Sequence, residues 1–253
     1  MDTNSQIRVT GAAVTGARHL RTARNGQDAA AAWACEGFGA VVVCDGCGSG
    51  GSSEVGARLG AQLVIAALVR RLEAGGSPAD PALWEGMRTD VVARLAELAA
   101  AMGGELAQRI HEHFLFTVVA AAVAGDAAAV WMIGDGAYAI GTRTRELGPY
   151  ADNEPPYLAY DLLGMPQVAQ FEPIAAAGGG TIMVATDGVA ELGLETITVE
   201  RCLAHPDALR RRLTVLARGT ETIEWDARRV VRTPARLQDD GAVAILAWRG
   251  RPS

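Results

Sequence analysis

Short uncharged apolar runs that stop or start at an aspartate constrain this chain more than any other feature. Val41-Val42-Val43-Cys44 runs into Asp45, Thr181 to Thr186 runs into Asp187, and Val243-Ala244-Ile245-Leu246 follows Asp239 and Asp240. Asp28 stands upstream of all three. Runs this short and this apolar read as strands buried on both faces, which forces a layered fold in which each sheet is covered. Carboxylates at strand ends can meet at one rim of a sheet, and an oxygen-rich shell of that kind suits a hard divalent cation such as Mg2+ or Mn2+. Any one Asp-Gly pair is also an ordinary turn, because Asp bonds its own backbone and Gly accepts positive φ. The weight lies in the set.

Two long helices fall between these strands. Ser52-Ser53-Glu54 can open one, with Val55, Leu59, Leu63 and Ala66 or Ala67 recurring on a face up to Gly75-Gly76. Asp80-Pro81 opens the next as N-cap and first helical residue, and Trp84, Met87, Val91, Leu95 and Leu98 share a face before Gly103-Gly104. Further helices are expected over 207–218 and 221–231. Strands are expected over 40–44, 114–123, 127–133, 137–140, 181–186 and 243–248. The short turns Ala124-Gly125-Asp126 and Gly134-Asp135-Gly136 imply antiparallel hairpins. The expected fold is α+β, a four-layer α-β-β-α sandwich of two antiparallel sheets flanked by helix pairs, in a single domain over 1–253. The segment 143–171, with Pro149, Pro155, Pro156 and Pro166 and the tyrosines Tyr150, Tyr157 and Tyr160, is the least regular. It is either a recognition flap or a connection packed by its own aromatics.

At 253 residues and 49% hydrophobic content the chain can bury a large core. Its net charge of −6 argues against a nucleic-acid surface. Arg210-Arg211-Arg212 and Arg228, Arg229 and Arg232, read at helical spacing, form a solvated face or a docking surface for an acidic or phosphorylated partner. The polar start Met1–Gln6 lacks the pattern of a secretory signal, and the apolar stretch 114–125 is too short to span a bilayer. No membrane partner is expected. Four cysteines form no disulfide framework, which suits a reducing cytoplasm. Cys44 and Cys47 make a CxxC without the second pair of soft ligands that zinc needs. On a strand His111 and His113 would share one face, but they lack a third ligand and read better as a solvated strand entry or helix end, and His205-Pro206 reads as loop. The glycines of Gly46–Gly51 lack the Gly-Lys-Ser/Thr of a P-loop.

Taken in order, Gln27-Asp28-Ala29, Val43-Cys44-Asp45-Gly46-Cys47-Gly48, Ile133-Gly134-Asp135-Gly136, Ala185-Thr186-Asp187-Gly188-Val189 and Asp239-Asp240-Gly241-Ala242-Val243 resemble the motifs of the type 2C metal-dependent protein phosphatases. The match runs from about Gly16 to Trp248 and is nearest bacterial members whose loop continues as Ser53-Glu54-Val55-Gly56-Ala57. The resemblance implies a serine/threonine phosphatase that hydrolyses phosphoprotein monoesters with a metal-activated water at a two-metal centre. Its metals would be Mn2+ or Mg2+, two ions or three. Its partner would be the phosphorylated target of a serine/threonine kinase. Asp45 would bridge two ions, the Gly46 carbonyl would join one shell, Asp187 and Asp239 would complete the other, and Asp28 would hold a coordinated water.

Departures from the pattern leave choices open. Gln27 stands where many members have Glu. The arginine that grips phosphate in many members falls on Ala23, so Arg21, Arg24 or His19 would take its task. Asp135 is a third-metal ligand or a turn acceptor, and Asp240, at an Asn position, sits behind the ligands. An inactive relative that binds phosphoproteins without hydrolysing them is the alternative reading.

Overall fold

Every residue of Phe38–Cys44 is buried, as a strand covered on both faces requires. In the computed structural model, which describes residues 7–151, 154–205 and 207–250, this strand is β3. The polar start Met1–Gln6 and Pro206 lie outside the described residues. The other strands are β1 (Ile7–Val14), β2 (Ala29–Ala34), β4 (Val118–Ala124), β5 (Ala127–Ile133), β6 (Gly136–Ile140), β7 (Arg143–Leu147), β8 (Gln170–Ala175), β9 (Gly179–Ala185), β10 (Thr220–Glu224), β11 (Arg229–Thr233) and β12 (Gly241–Arg249). The helices are α1 (Ala17–Thr22), α2 (Ser53–Glu73), α3 (Pro81–Met102), α4 (Leu106–Arg109), α5 (Asp187–Ala190), α6 (Val199–Ala204) and α7 (Ala208–Leu216).

Two five-stranded antiparallel sheets, ordered β2-β3-β4-β5-β8 and β1-β12-β9-β6-β7, stack face to face. Alternation along each strand builds the layers. Ala40, Val42 and Cys44 of β3 join the core under α2 and α3, whereas Val41 and Val43 join the core between the sheets. On β12, Ala242, Ala244 and Leu246 face the first sheet while Val243 and Ile245 pack with Leu209 and Leu213 of α7. The four expected layers are present, with α2 and α3 on one side and α6 and α7 on the other.

The helix α3 starts as the sequence indicates: Asp80 accepts from the Ala82 amide at 2.9 Å, and Pro81 is the first helical residue. Its Trp84 stacks on Trp131 with centroids 6.5 Å apart and planes 3° apart. The face expected for α2 holds at Leu63 and Ala67, which join the core, and fails in the first turns. Val55 and Leu59 are exposed, and the buried stripe runs through Gly56, Ala57, Gly60, Ala61, Val64 and Leu68. Close approach selects these small residues, since a Cβ on Gly60 would lie 2.4 Å from the Phe116 ring and one on Gly56 2.0 Å from the His113 carbonyl oxygen.

Three further expectations fail. The segment 221–231 is not a helix but the hairpin β10–β11, where β-branched Thr222, Ile223, Val230 and Val231 line up across the strands. Its glutamates and arginines are cross-strand partners, Glu221 with Arg232 at 2.8 Å and Glu224 with Arg229 at 2.6 Å, not neighbours along a helix. The turn Gly134-Asp135-Gly136 is not a hairpin, because β5 and β6 belong to different sheets. His111 and His113 sit in a π-helical turn, Ile110–Phe114, that continues α4, and the strand expected over 114–123 begins only at Val118. The strands β1 and β2, polar or alanine-rich, were not anticipated at all.

Segment 143–171 is more ordered than its prolines imply. It contains β7, a 3-10 helix at Leu158–Leu163 and the start of β8. Asp161 holds it to α3 through two 2.7 Å bonds from Arg88, and Tyr157 packs edge-on against Tyr160. Asp152 lies outside the described residues.

Candidate active site

Sheet register brings the aspartates together. Ala29 pairs with Cys44, so Asp28, just before β2, lies beside Asp45, just after β3. In the other sheet Ala185 pairs with Val243, which sets Asp187, beyond the end of β9, near Asp239 and Asp240 at the start of β12. The crossover from β5 to β6 carries Asp135 to the same rim. Asp28, Asp45, Asp135, Asp187, Asp239 and Asp240 all line one cavity of about 240 Å3, with the Gly46 and Cys47 loop on one wall and Pro155 and Tyr157 of segment 143–171 on another.

Buried hydrogen bonds fix this arrangement. Thr186 donates from Oγ1 to Asp28 Oδ2 at 2.6 Å and accepts from the Ala242 amide at 2.9 Å, so one hydroxyl ties the two sheets together behind the site. The Thr117 amide donates to the Asp45 carbonyl at 2.8 Å, and the Gly46 amide to the Gln27 carbonyl at 3.2 Å. Gly46 has no room for a side chain, since a Cβ would stand 2.8 Å from the Gln27 carbonyl oxygen. Gln27 is buried and donates to Ser53 Oγ at 2.6 Å, which anchors its amide to the start of α2. Asp240 is fully engaged: Oδ1 accepts from the Gly16 amide at 2.8 Å, and Oδ2 accepts from the Gln27 amide at 2.6 Å and pairs with His19 Nδ1 at 2.8 Å. These bonds clamp residues 16–27 against the start of β12.

The electrostatics show carboxylates that burial and one another's charge hold above their ordinary range. Burial, then repulsion from Asp240 and other carboxylates, pushes the Asp28 carboxyl well above its ordinary range despite the Thr186 hydroxyl. Asp45 is raised by burial, then by Asp28 and Asp187. Asp135 is raised to about 6 by burial and by Asp187. Among the cavity-lining residues Arg18 alone carries a guanidinium. Crowded, buried carboxylates with one cation among them suit a bound divalent ion, and their all-oxygen donors suit a hard one.

Cys44 and Cys47 are not a matched metal pair. Burial and the charges of Asp28 and Asp45 push the Cys44 thiol up. Cys47 is also raised by burial, but hydrogen bonds with Ser49 and Tyr157 outweigh that and lower it.

Arg21, Arg24 and His19, the residues expected to grip phosphate, do not line this cavity. His19 is held by Asp240, Arg21 lines a separate cavity with Leu20, Arg218 and Arg232, and Arg24 is exposed beyond α1. Arg18 does line the cavity, its Nη1 3.2 Å from Asp239 Oδ2. Its placement depends on α1, which Gly16 starts and Ala23 closes in a left-handed conformation at φ 54. Nothing in the apolar pattern of residues 16–23 announces so short a helix. Ligand atoms of His19, Asp239 and Asp240 all lie within 4.8 Å of one another, yet His19 and Asp240 already bond each other.

A family model described as Protein phosphatase 2C matches residues 15–225. Comparison with curated protein sequences returns no match. Among solved structures, PppA, a key regulatory component of T6SS in Pseudomonas aeruginosa, superposes with a TM-score of 0.60 at 17% identity, covering 96% of this chain and 99% of that one. The catalytic domain of the serine threonine protein phosphatase PstP, in complex with two manganese ions, gives 0.54 at 16% identity over 96% and 98%. RsbX in complex with magnesium gives 0.51 at 12% identity over 98% of each chain. At these identities the superpositions establish the shared sandwich.

Proposed function

The chain belongs to the protein phosphatase 2C family, and on that premise we propose that the aspartate-lined cavity is the centre of a metal-dependent serine/threonine protein phosphatase that uses Mn2+ or Mg2+. The observation that carries this reading is the convergence of Asp28, Asp45, Asp187 and Asp239 from both sheets on one cavity that has a single lining guanidinium. Asp45, Asp187, Asp239 and the Gly46 carbonyl would hold the ions, Asp28 would orient a water, and Asp135 would serve a further ion or shape its turn. Bound there, such ions supply Lewis-acid neutralisation of phosphoryl oxygens and make a water nucleophilic at neutral pH. The same convergence favours a catalyst over a module that only binds phosphoproteins.

The rest of the work falls to the chain. Thr186 and Asp240 hold the carboxylates and the 16–28 segment in register, so little reorganisation is needed when substrate arrives. Pro155 and Tyr157 wall the cavity on one side, which gives segment 143–171 a part in admitting the phosphorylated side chain. The substrate would be a phosphoprotein made by a serine/threonine kinase. Among the described residues no helix is long and apolar enough to cross a membrane. Hydrolysis of p-nitrophenyl phosphate and of a phosphothreonine peptide, each with Mn2+, Mg2+ or EDTA, tests the assignment. Turnover must require metal, and absence of turnover with either metal would leave the binding module.

Arg18 is the residue for the substrate phosphate. Its exposed pair with Asp239 costs little to loosen, since such pairs contribute about 0–1 kcal/mol. A phosphoryl group offers two oxygens and a larger charge to the same planar fork. Arg18→Ala should lower kcat/KM for a phosphopeptide about tenfold, or about 1.4 kcal/mol. Arg21→Ala and Arg24→Ala should change it less than twofold. Equal losses in all three variants would place the effect in overall charge and remove the assignment.

A further inference from the structure

A second cavity, of about 510 Å3, opens among the 3-10 turn Leu194–Thr196, α6 and α7, and shares no lining residue with the aspartate cavity. Arg201 and His205 from α6 and its C-cap, and Arg211 and Arg212 from α7, line it together with the hydroxyl-bearing Thr196 and Thr198. No carboxylate is among its lining residues, in a chain of net charge −6. The nearby Asp207 is shared: it takes Arg210 at 3.1 Å and reaches Arg211 only at 3.9 Å. Arg201 and Arg212 both act on the buried Cys202 thiol, drawing it down against the larger upward push of burial, so their charges converge on one spot.

Guanidiniums from two helices gathered without a carboxylate repel one another, and a bound anion relieves that cost. Planar forks from three arginines match a group with three terminal oxygens and a charge near −2, which a phosphate monoester has and a single carboxylate lacks. The size falls within the range of about 300–1,000 Å3 typical of ligand sites. The lining has no Phe, Tyr or Trp ring on which a nucleobase could stack. The cavity belongs to the connection that leaves the first centre at Asp187 and returns to it at Asp239.

We propose that this cavity is a second anion site that holds a phosphoserine or phosphothreonine of the protein substrate, beside the phosphorylated residue being hydrolysed. The inference rests on the phosphatase reading above and specifies its substrate as multiply phosphorylated. Tethering through the second phosphate raises the effective concentration of the first at the aspartate cavity, so it lowers KM and leaves kcat alone.

Binding in EDTA separates the two sites, because the metal-free aspartate cavity repels phosphate. A fluorescein-labelled peptide carrying two phosphothreonines should bind the chelated full chain, with affinity falling as salt rises. The unphosphorylated peptide should not bind. Arg201→Ala with Arg212→Ala should weaken binding at least about tenfold, as loss of charge-assisted bonds implies. Both side chains are exposed, and thermal melts of the double variant and of Arg201→Lys with Arg212→Lys check that the fold is kept. With Mn2+ the alanine variant should raise KM for the doubly phosphorylated peptide and hydrolyse p-nitrophenyl phosphate as wild type does. Unchanged binding in the alanine variant, or equal binding of the unphosphorylated peptide, would overturn the proposal. Displacement of the peptide by inorganic phosphate at peptide-like concentrations would overturn it too, in favour of a small-anion site. Loss of p-nitrophenyl phosphate turnover in wild type would instead refute the phosphatase reading, and the EDTA experiment would still decide this one.

Discussion

Asp45→Asn should leave a folded protein whose kcat/KM for a phosphopeptide has fallen at least about a thousandfold, or about 4 kcal/mol. Asp45 follows the fully buried strand β3, and the charges of Asp28 and Asp187 push its carboxyl up after burial. An amide in its place keeps the shape and removes one of the charges that would hold the metals, so metal affinity and the acidity of the attacking water fall together. Stability should respond in the opposite direction. In the chelated protein this carboxylate suffers burial and the repulsion of its neighbours, so removing its charge should raise the melting temperature in EDTA. Each kcal/mol recovered is worth about 2–4 °C in a chain of this size. Mn2+ should then raise the melting temperature of wild type and hardly that of the variant. Near-normal turnover of Asp45→Asn at saturating Mn2+, or a lower melting temperature in EDTA, would contradict the role given to it.

Asp45, Asp187 and Asp239 were legible because each stands at or next to an end of an apolar run, where only a strand fits and where sheet register does the rest. Asp28 beside Asp45 is a consequence of Ala29 pairing with Cys44. What failed was information carried by small or polar residues. The buried stripe of α2 is glycine and alanine, whose burial is set by how closely Phe116 and His113 approach and not by their own apolarity. The hairpin β10–β11 shows glutamates and arginines at spacings that suit a helix as well as a cross-strand pair, and only the β-branched residues between them decide. The turn at Asp135 joins different sheets, which no local pattern records. Arg18 and Thr186 escaped notice for the same reason. Arg18 reaches the cavity only because α1 forms against residues 239–240, and Thr186 matters through Asp28, which is remote in sequence.

That dependence on residues 16 and 239–240 sets up the second large effect. Gly16 packs so closely on β12's approach that a Cβ there would stand 2.0 Å from the Asp239 carbonyl oxygen and 2.1 Å from its carbonyl carbon. Both are backbone atoms, so no rotamer relieves the clash and one segment must move. Movement pulls the Gly16 amide off Asp240 Oδ1, leaves a buried carboxylate oxygen short of a donor and displaces Arg18 and Asp239 together. Gly16→Ala should cost about 1–3 kcal/mol of stability, the penalty for an unsatisfied buried polar group. It should also lower kcat/KM about 100-fold, the loss expected when supporting contacts of a metal site are broken. Gly51→Ala is the matched control, because a Cβ there meets open space at an unstrained φ. Thermal melts and phosphopeptide kinetics on the two variants side by side decide the matter. If Gly16→Ala melts and turns over within twofold of Gly51→Ala, Asp240 does not hold the site through this contact, and the carboxylates keep their places by the sheet register alone.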